Sequence, residues 1–213
     1  MSHSWLFTGP PGSGRSLAAI DFAAALMCTD PEEPGCGRCE ACRAVLETKQ
    51  HTDLVLVDPQ EVIIPVDTVR EVIGRAASLP TVAPWRVVIF NNADRLNNNG
   101  ANALLKTVEE PPARTVIIMC APSDAPEDFS QTLRSRCRHL YIPSPSVESI
   151  TAQLVSEGAS DHDAHLAALT SLRHVGRARR LVNDPAVQKR RAVAINLAEE
   201  VFHGSQGFQA VTS

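Results

Sequence analysis

Residues 9–16 read Gly-Pro-Pro-Gly-Ser-Gly-Arg-Ser, between an apolar run, WLFT, and a helix-like run, LAAIDFAAALM. Gly9, Gly12 and Gly14, followed by a basic residue and the hydroxyl of Ser16, form the pattern of a phosphate-binding loop. Glycines let backbone N–H groups face phosphate oxygens, the helix N-terminus adds positive potential, and the hydroxyl holds magnesium. The pattern asks for lysine where this chain has Arg15. A guanidinium keeps the charge, but it is a wide planar fork and does not simply replace an ammonium folded over the loop. An ordinary glycine turn into a helix is the competing account. The placement favours descent from a phosphate loop, and nucleotide binding today is a separate question that the loop leaves open.

A hydrolytic site of this design also needs acids at the end of a neighbouring strand, one for the magnesium shell and often a second to polarise the attacking water. The run RVVIF, 86–90, ends instead in Asn91 and Asn92. Amides are neutral at every accessible pH. They can ligate magnesium weakly through oxygen but cannot accept the water's proton. Asp94 reads better as a helix-start or surface residue than as a relocated base. The chain is therefore expected not to hydrolyse ATP at useful rates.

Cys28, Cys36, Cys39 and Cys42 follow the spacing C-x7-C-x2-C-x2-C around TDPEEPG. Four soft ligands so close together can close a tetrahedral thiolate shell on zinc, and a full shell with no acid or histidine makes the metal structural. A disulfide pair, disfavoured in a reducing compartment, and clustered free thiols are the alternatives. Cys120, in an apolar strand, reads as core. Ser135, Arg136 and Cys137 precede another apolar run; alone they are a weak signal, and the arginine is open to reading as a surface ion-pair partner.

These residues are positioned by alternating elements. Between residues 5 and 142 the runs WLFT, DLVLV, RVVIF, TVIIMC and HLYI alternate with helical patterns in LAAIDFAAALM, VDTVREVIGRAA and ANALLKTVEE. That alternation predicts an α/β fold, a parallel sheet with helices on both faces. After Pro143-Ser144-Pro145 the strand patterns stop. VESITAQLVSEG, DAHLAALTSLRHV, RARRLV and AVQKRRAVAINLAEEVF all read as helices. The expected division is a sheet domain at 1–142 with the cysteine module at 28–42, a small helical domain at 143–204, and a loose tail at 205–213. Asn97, Asn98, Asn99 and Gly100 read as a helix-start loop.

With 213 residues and 44% hydrophobic composition, the chain can bury a real core. No apolar run approaches the roughly 20 residues that cross a bilayer, and no basic region leads into an apolar segment at the N-terminus, so a cytoplasmic protein without membrane contact is the natural reading. A formal net charge of −4 does not advertise nucleic-acid binding. Basic residues concentrate between Arg173 and Arg191, where a solvated helix face is the blander account and a phosphate contact the sharper one.

GANALLKTVEEPP at 100–112, the strand TVIIMCAPS after it, LRSRCR and HVGRARRL together resemble the AAA+ subunits of the bacterial replicative clamp loader of the DNA polymerase III holoenzyme, and among them the delta-prime family. The resemblance spans nearly the whole chain. It implies an AAA+ P-loop module with a zinc-bearing insertion at the four cysteines, followed by a helical lid. It implies no catalytic residue in cis. Arg136 would instead reach across a subunit interface as an arginine finger, serving ATP held by a neighbouring motor subunit. Such a finger is worth about 10³ to 10⁵ in rate in well-studied GTPases. The missing acids and lysine are then tolerable, because this subunit acts as a non-hydrolysing stator. Implied partners are the gamma/tau and delta subunits and, within the assembly, the sliding clamp and primer-template DNA. Ser123 falls near the family's first sensor, and Arg177 resembles the lid's sensor arginine, with a plain surface charge as the alternative for Arg177.

Only four residues precede the first strand, where the family has a segment that helps enclose adenine, so ATP and magnesium binding is expected to be weak or absent. The chain stops soon after the lid, where the family continues into a helical collar, so a fragment or shortened product lacking the collar is expected. Two other functions fit less of the pattern. One is an ATP-hydrolysing motor of the gamma/tau type with Arg15 in lysine's place. The other is a zinc-containing nucleic-acid binder with a vestigial AAA+ fold.

Overall fold

The computed structural model describes residues 3–59, 61–190, 192–194, 196–198 and 202. They form two compact units that divide between Pro143 and Ser144. The expected tail at 205–213, and parts of the last expected helix, lie outside the described residues; 185–190 are helical.

The first unit is built on five parallel strands, β1 (Ser4–Thr8), β2 (Leu54–Val57), β3 (Arg86–Phe90), β4 (Thr115–Ala121) and β5 (Arg138–Tyr141), in the order β2-β3-β4-β1-β5. The three inner strands are nearly continuous apolar runs because both of their faces are covered, and side chains alternate between two cores. Phe7, Val87, Ile89, Val116, Ile118 and Cys120 face one core with Ala19, Ile20, Ala23 and Met27 of α1 (Arg15–Met27). Leu6, Val88, Phe90, Ile117 and Met119 face the other with Val69 and Val72, and with Leu104 and Val108. Those two pairs belong to α3 (Val66–Ala76) and α4 (Asn98–Glu109), which follow the short α2 (Glu40–Arg43).

Two short elements escaped the sequence pattern. Helix α2 starts from Cys39 and runs into a π-helical turn, Ala44–Thr48. A single turn, α5 (Gln131–Arg134), precedes β5. Both are too short for an apolar period to show.

A buried ion pair secures the base of the sheet. Asp53 is fully buried, and its carboxylate accepts the backbone N–H groups of Thr81, Val82 and Ala83 at 2.7, 2.7 and 2.9 Å and the Arg86 guanidinium at 3.0 Å. The second guanidinium nitrogen donates to the carbonyls of Arg75 and Ser78 at 2.7 Å each, and to the Ser78 hydroxyl.

The second unit contains α6 (Val147–Ser156), α7 (Asp161–Thr170) and α8 (Val175–Asn183), packed through Ile150, Leu154, Ala164, Ala167, Ala168 and Ala178. The helix expected through DAHLAALTSLRHV ends at Thr170. Leu172 and Arg173 take left-handed backbone, with φ of 55° and 64°, which stops an α-helix. Arg173 then donates to the carbonyls of Pro145 and Ser144 at 2.8 and 2.7 Å. Arg179 grips Glu157 through Nε and one terminal nitrogen. In the basic stretch, these two arginines are thus engaged within the unit.

Candidate functional site

The glycine loop leaves the carboxyl end of β1 and opens directly into α1. Gly9 lies so close to the edge of β5's exit that a Cβ there would stand 2.2 Å from the carbonyl oxygen of Ile142, and its own N–H donates to the Pro122 carbonyl at 3.2 Å. Gly14, with φ of +94°, is the left-handed residue from which α1 starts; only glycine takes that conformation without strain. The backbone thus has the strand, glycine turn and helix start of a phosphate loop, with Ser16 half-buried in the first turn.

Arg15 does not reach outward. Its side chain is buried, one terminal nitrogen donates to the Gly9 carbonyl at 2.7 Å, and the other lies 3.4 Å from the Asn92 amide oxygen. Among the described residues no carboxylate pairs with it. The Arg15 Nε and the Ser13 hydroxyl are buried without hydrogen-bond partners. The loop therefore keeps an uncompensated positive charge, but the cation is held by the loop itself and by the end of β3.

Asn91 and Asn92 follow directly on the carboxyl end of β3. The Asn91 N–H donates to the Val57 carbonyl at 2.9 Å, extending the β2–β3 ladder, and its amide oxygen is buried without a partner. Asn92 is left-handed, φ 53°, and starts the single turn Ala93–Arg95. Asparagine is the non-glycine residue that best tolerates this backbone, so Asn92 has a conformational role that sequence reasoning missed. Asp94 is exposed within that turn. Neither amide can take a proton from water. Asn97 caps α4, its side-chain oxygen accepting the Gly100 N–H at 2.8 Å.

Ser123 follows β4 and stands one residue from the Pro122 carbonyl that Gly9 contacts. Its hydroxyl donates to Asp128 at 2.7 Å and accepts the Ala125 N–H at 3.1 Å. Beside it is a network that no local pattern announced. The Thr8 hydroxyl meets His139 Nε2 at 2.6 Å, His139 Nδ1 lies 3.6 Å from Asp124, and Arg134 Nε donates to Asp124 at 3.0 Å. The Arg134 hydrogen bond holds the Asp124 carboxyl below its usual range. Residues from β1, β5 and the turn after β4 are thereby tied together under the loop.

Arg136 occupies an exposed turn. Cys137 is buried in the sheet core while Arg136 stays about a third exposed. Its Nε donates to Glu109 at 2.5 Å, and one terminal nitrogen donates to the Thr132 carbonyl at 2.8 Å and to the Ser135 hydroxyl at 3.3 Å. Arg177 is exposed in the first turn of α8, in the second unit.

The four cysteine sulfurs converge within 4.8 Å of one another and can hold a metal ion. Cys28 lies 3.7 Å from Cys36 and 3.9 Å from Cys39, far beyond a disulfide bond. Gly-rich turns and α2 bring them together, while Cys28 and Cys42 pack on α1. Backbone N–H groups of Thr29 and Cys42 draw the Cys39 thiol down to about 5. Burial, with the neighbouring sulfurs adding to it, pushes Cys42 up to about 12. A cation among the sulfurs reverses that repulsion and favours thiolates throughout. Cys120 is buried in β4 and takes no part.

A parallel sheet wrapped by helices, a glycine loop opening into α1, a cysteine cluster inserted after that helix and a following helical unit define an AAA+ P-loop module. The chain belongs to the family described as DNA polymerase III, delta subunit, whose profile matches residues 1–146. It is 35% identical over 165 residues to the DNA polymerase III subunit delta' of Pseudomonas aeruginosa, covering 74% of this chain and 49% of that protein. It is 28% identical over 207 residues to the delta' subunit of Bacillus subtilis, covering 97% of this chain and 61% of that one. The chain thus spans about half to three fifths of the length of these relatives. Among solved structures, a DNA polymerase III gamma subunit-related protein from Thermotoga maritima shares the fold with a TM-score of 0.53 at 19% identity, covering 86% of this chain and 54% of that one.

Proposed function

We propose that the chain is a non-hydrolysing, delta-prime-type subunit of the bacterial clamp loader, which supplies Arg136 in trans to ATP bound by a neighbouring gamma/tau-type motor subunit. One observation carries this reading. The carboxyl end of β3 presents Asn91 and Asn92, with Arg15 drawn back onto Gly9 and Asn92, while Arg136 stands on an exposed turn anchored by a buried cysteine. The in-cis site lacks a base, and the in-trans donor is displayed.

In this reading the glycine loop, Gly9 to Ser16, is a relic that binds nucleotide and magnesium weakly or not at all, because its cation is already engaged. Ser123 and Arg177 are inherited sensor positions rather than working ones; Ser123 is committed to Asp128. The subunit works in the cytoplasm beside the delta and gamma/tau subunits as they place the sliding clamp on primer-template DNA. No helix among the described residues is long and apolar enough to cross a membrane.

Cys28, Cys36, Cys39 and Cys42 hold structural zinc. Four sulfurs at about 2.3 Å from one ion stand about 3.8 Å apart at tetrahedral angles, and the separations of 3.7 and 3.9 Å fit that edge. Bound there, zinc ties the insertion to α1 and performs no reaction step.

The test is a loader assembled from this chain and motor subunits in which only the motor protomer beside it keeps a working nucleotide loop. Arg136→Ala should lower DNA-stimulated ATP hydrolysis by about 10³ with assembly intact, and an unchanged rate overturns the proposal. Steady magnesium-dependent turnover by the isolated chain would overturn it equally.

A further inference from the structure

We infer that Glu109 is the positioning residue of Arg136: it aligns the guanidinium so that one terminal nitrogen stays free to meet a neighbour's phosphate. This rests on the in-trans reading of Arg136 and adds to it the device that aims the side chain. An arginine side chain has about 2 kcal/mol of rotamer entropy to lose when it is held in one pose, so a finger left to wander would lose that freedom at each encounter.

Both halves of the pair stand on one rigid base. Glu109 is the last residue of α4, which is anchored in the sheet core by Ala101, Leu104 and Val108, and Pro111 and Pro112 end the helix just beyond it. Arg136 follows α5, which is anchored in the same core by Leu133, and precedes the buried Cys137. Of the five guanidinium N–H donors, Nε is taken by Glu109 and the Nη1 group by Thr132 and Ser135. Among the described residues Nη2 makes no hydrogen bond. The two N–H groups of this one terminal nitrogen thus remain for an outside oxygen, and a phosphate can be met without breaking the contact to Glu109. The carboxylate steadies the finger rather than occupying it.

The experiment uses the same single-site loader and a double-mutant cycle. Glu109→Ala should lower kcat about 10- to 100-fold through misalignment, with KM for ATP and ring assembly unchanged. Glu109→Gln, which keeps an acceptor oxygen for Nε, should restore most of the rate. In an Arg136→Ala background, Glu109→Ala should have no further effect.

If Arg136→Ala slows the site and Glu109→Ala does not, the positioning role fails while the finger stands. If Arg136→Ala itself is silent, the in-trans reading falls and this inference with it. A faster rate in either Glu109 variant would mean that the carboxylate restrains the arginine, and would overturn the inference. So would a Glu109→Ala defect that persists without Arg136 or that tracks lost assembly.

Discussion

Asp53→Asn is a stringent test of how the sheet is held. The wild-type carboxylate is fully buried and satisfies four donors, with Thr81 N–H and Arg86 on one oxygen and Val82 and Ala83 N–H on the other. An asparagine amide offers one acceptor oxygen, and its NH2 group must face donors whichever way it turns. Two donors then lose their acceptor, and Arg86 is left as a buried cation without its counter-charge. Breaking one partner of a buried pair costs about 3 to 5 kcal/mol. With a urea dependence of about 2 kcal/mol per molar, the midpoint should fall by about 2 M. Trp5 and Trp85, the chain's two tryptophans, both belong to the sheet unit, so their fluorescence follows the relevant transition at neutral pH.

The same group sets an acid dependence. Burial by itself would raise the Asp53 carboxyl, but the Ala83, Val82 and Thr81 N–H groups and Arg86 outweigh it and hold it at about 2. The unfolded chain, with a carboxyl near 3.9, binds the proton first as pH falls. This stabilisation is therefore fully present above about pH 4, amounts to about 2 to 3 kcal/mol, and is lost as pH falls through the folded value near 2. Wild type should show that loss and Asp53→Asn should not. An unchanged urea midpoint for the variant at pH 7, or an identical acid profile, would refute the reasoning.

Two further outcomes are expected. Gly9→Ala must move either the loop or the backbone at Ile142, because the new Cβ lies 2.2 Å from a carbonyl oxygen; the strain of about 1 to 3 kcal/mol should lower the melting temperature by several degrees, whereas an unshifted melting curve would show that the loop is loosely seated. Cys39→Ser, or a chelator on the wild type, should reduce bound zinc and open 28–48 to proteolysis while the tryptophan signal of the sheet persists. Wild-type chain purified under reducing conditions without zinc would contradict the metal assignment.

Much of this protein is legible one segment at a time. Period-two and continuous apolar runs mark all five strands, the glycines at 9, 12 and 14 mark the turn into α1, and four cysteines in fifteen residues mark the insertion, because each signal depends on backbone geometry or ligand spacing within a few neighbours. The amides at 91 and 92, just after the third apolar run, are equally visible in the residue types. Folding decided which groups meet across long separations: Arg15 with Asn92, Glu109 with Arg136, Asp53 with Arg86, and Thr8 with His139. None has a periodic signature, since a side chain's partner depends on where other strands and turns bring their ends. Residue types alone put amides rather than carboxylates at 91 and 92. Only closure of the sheet turned Arg15 inward and left Arg136 with one terminal nitrogen unbonded among the described residues.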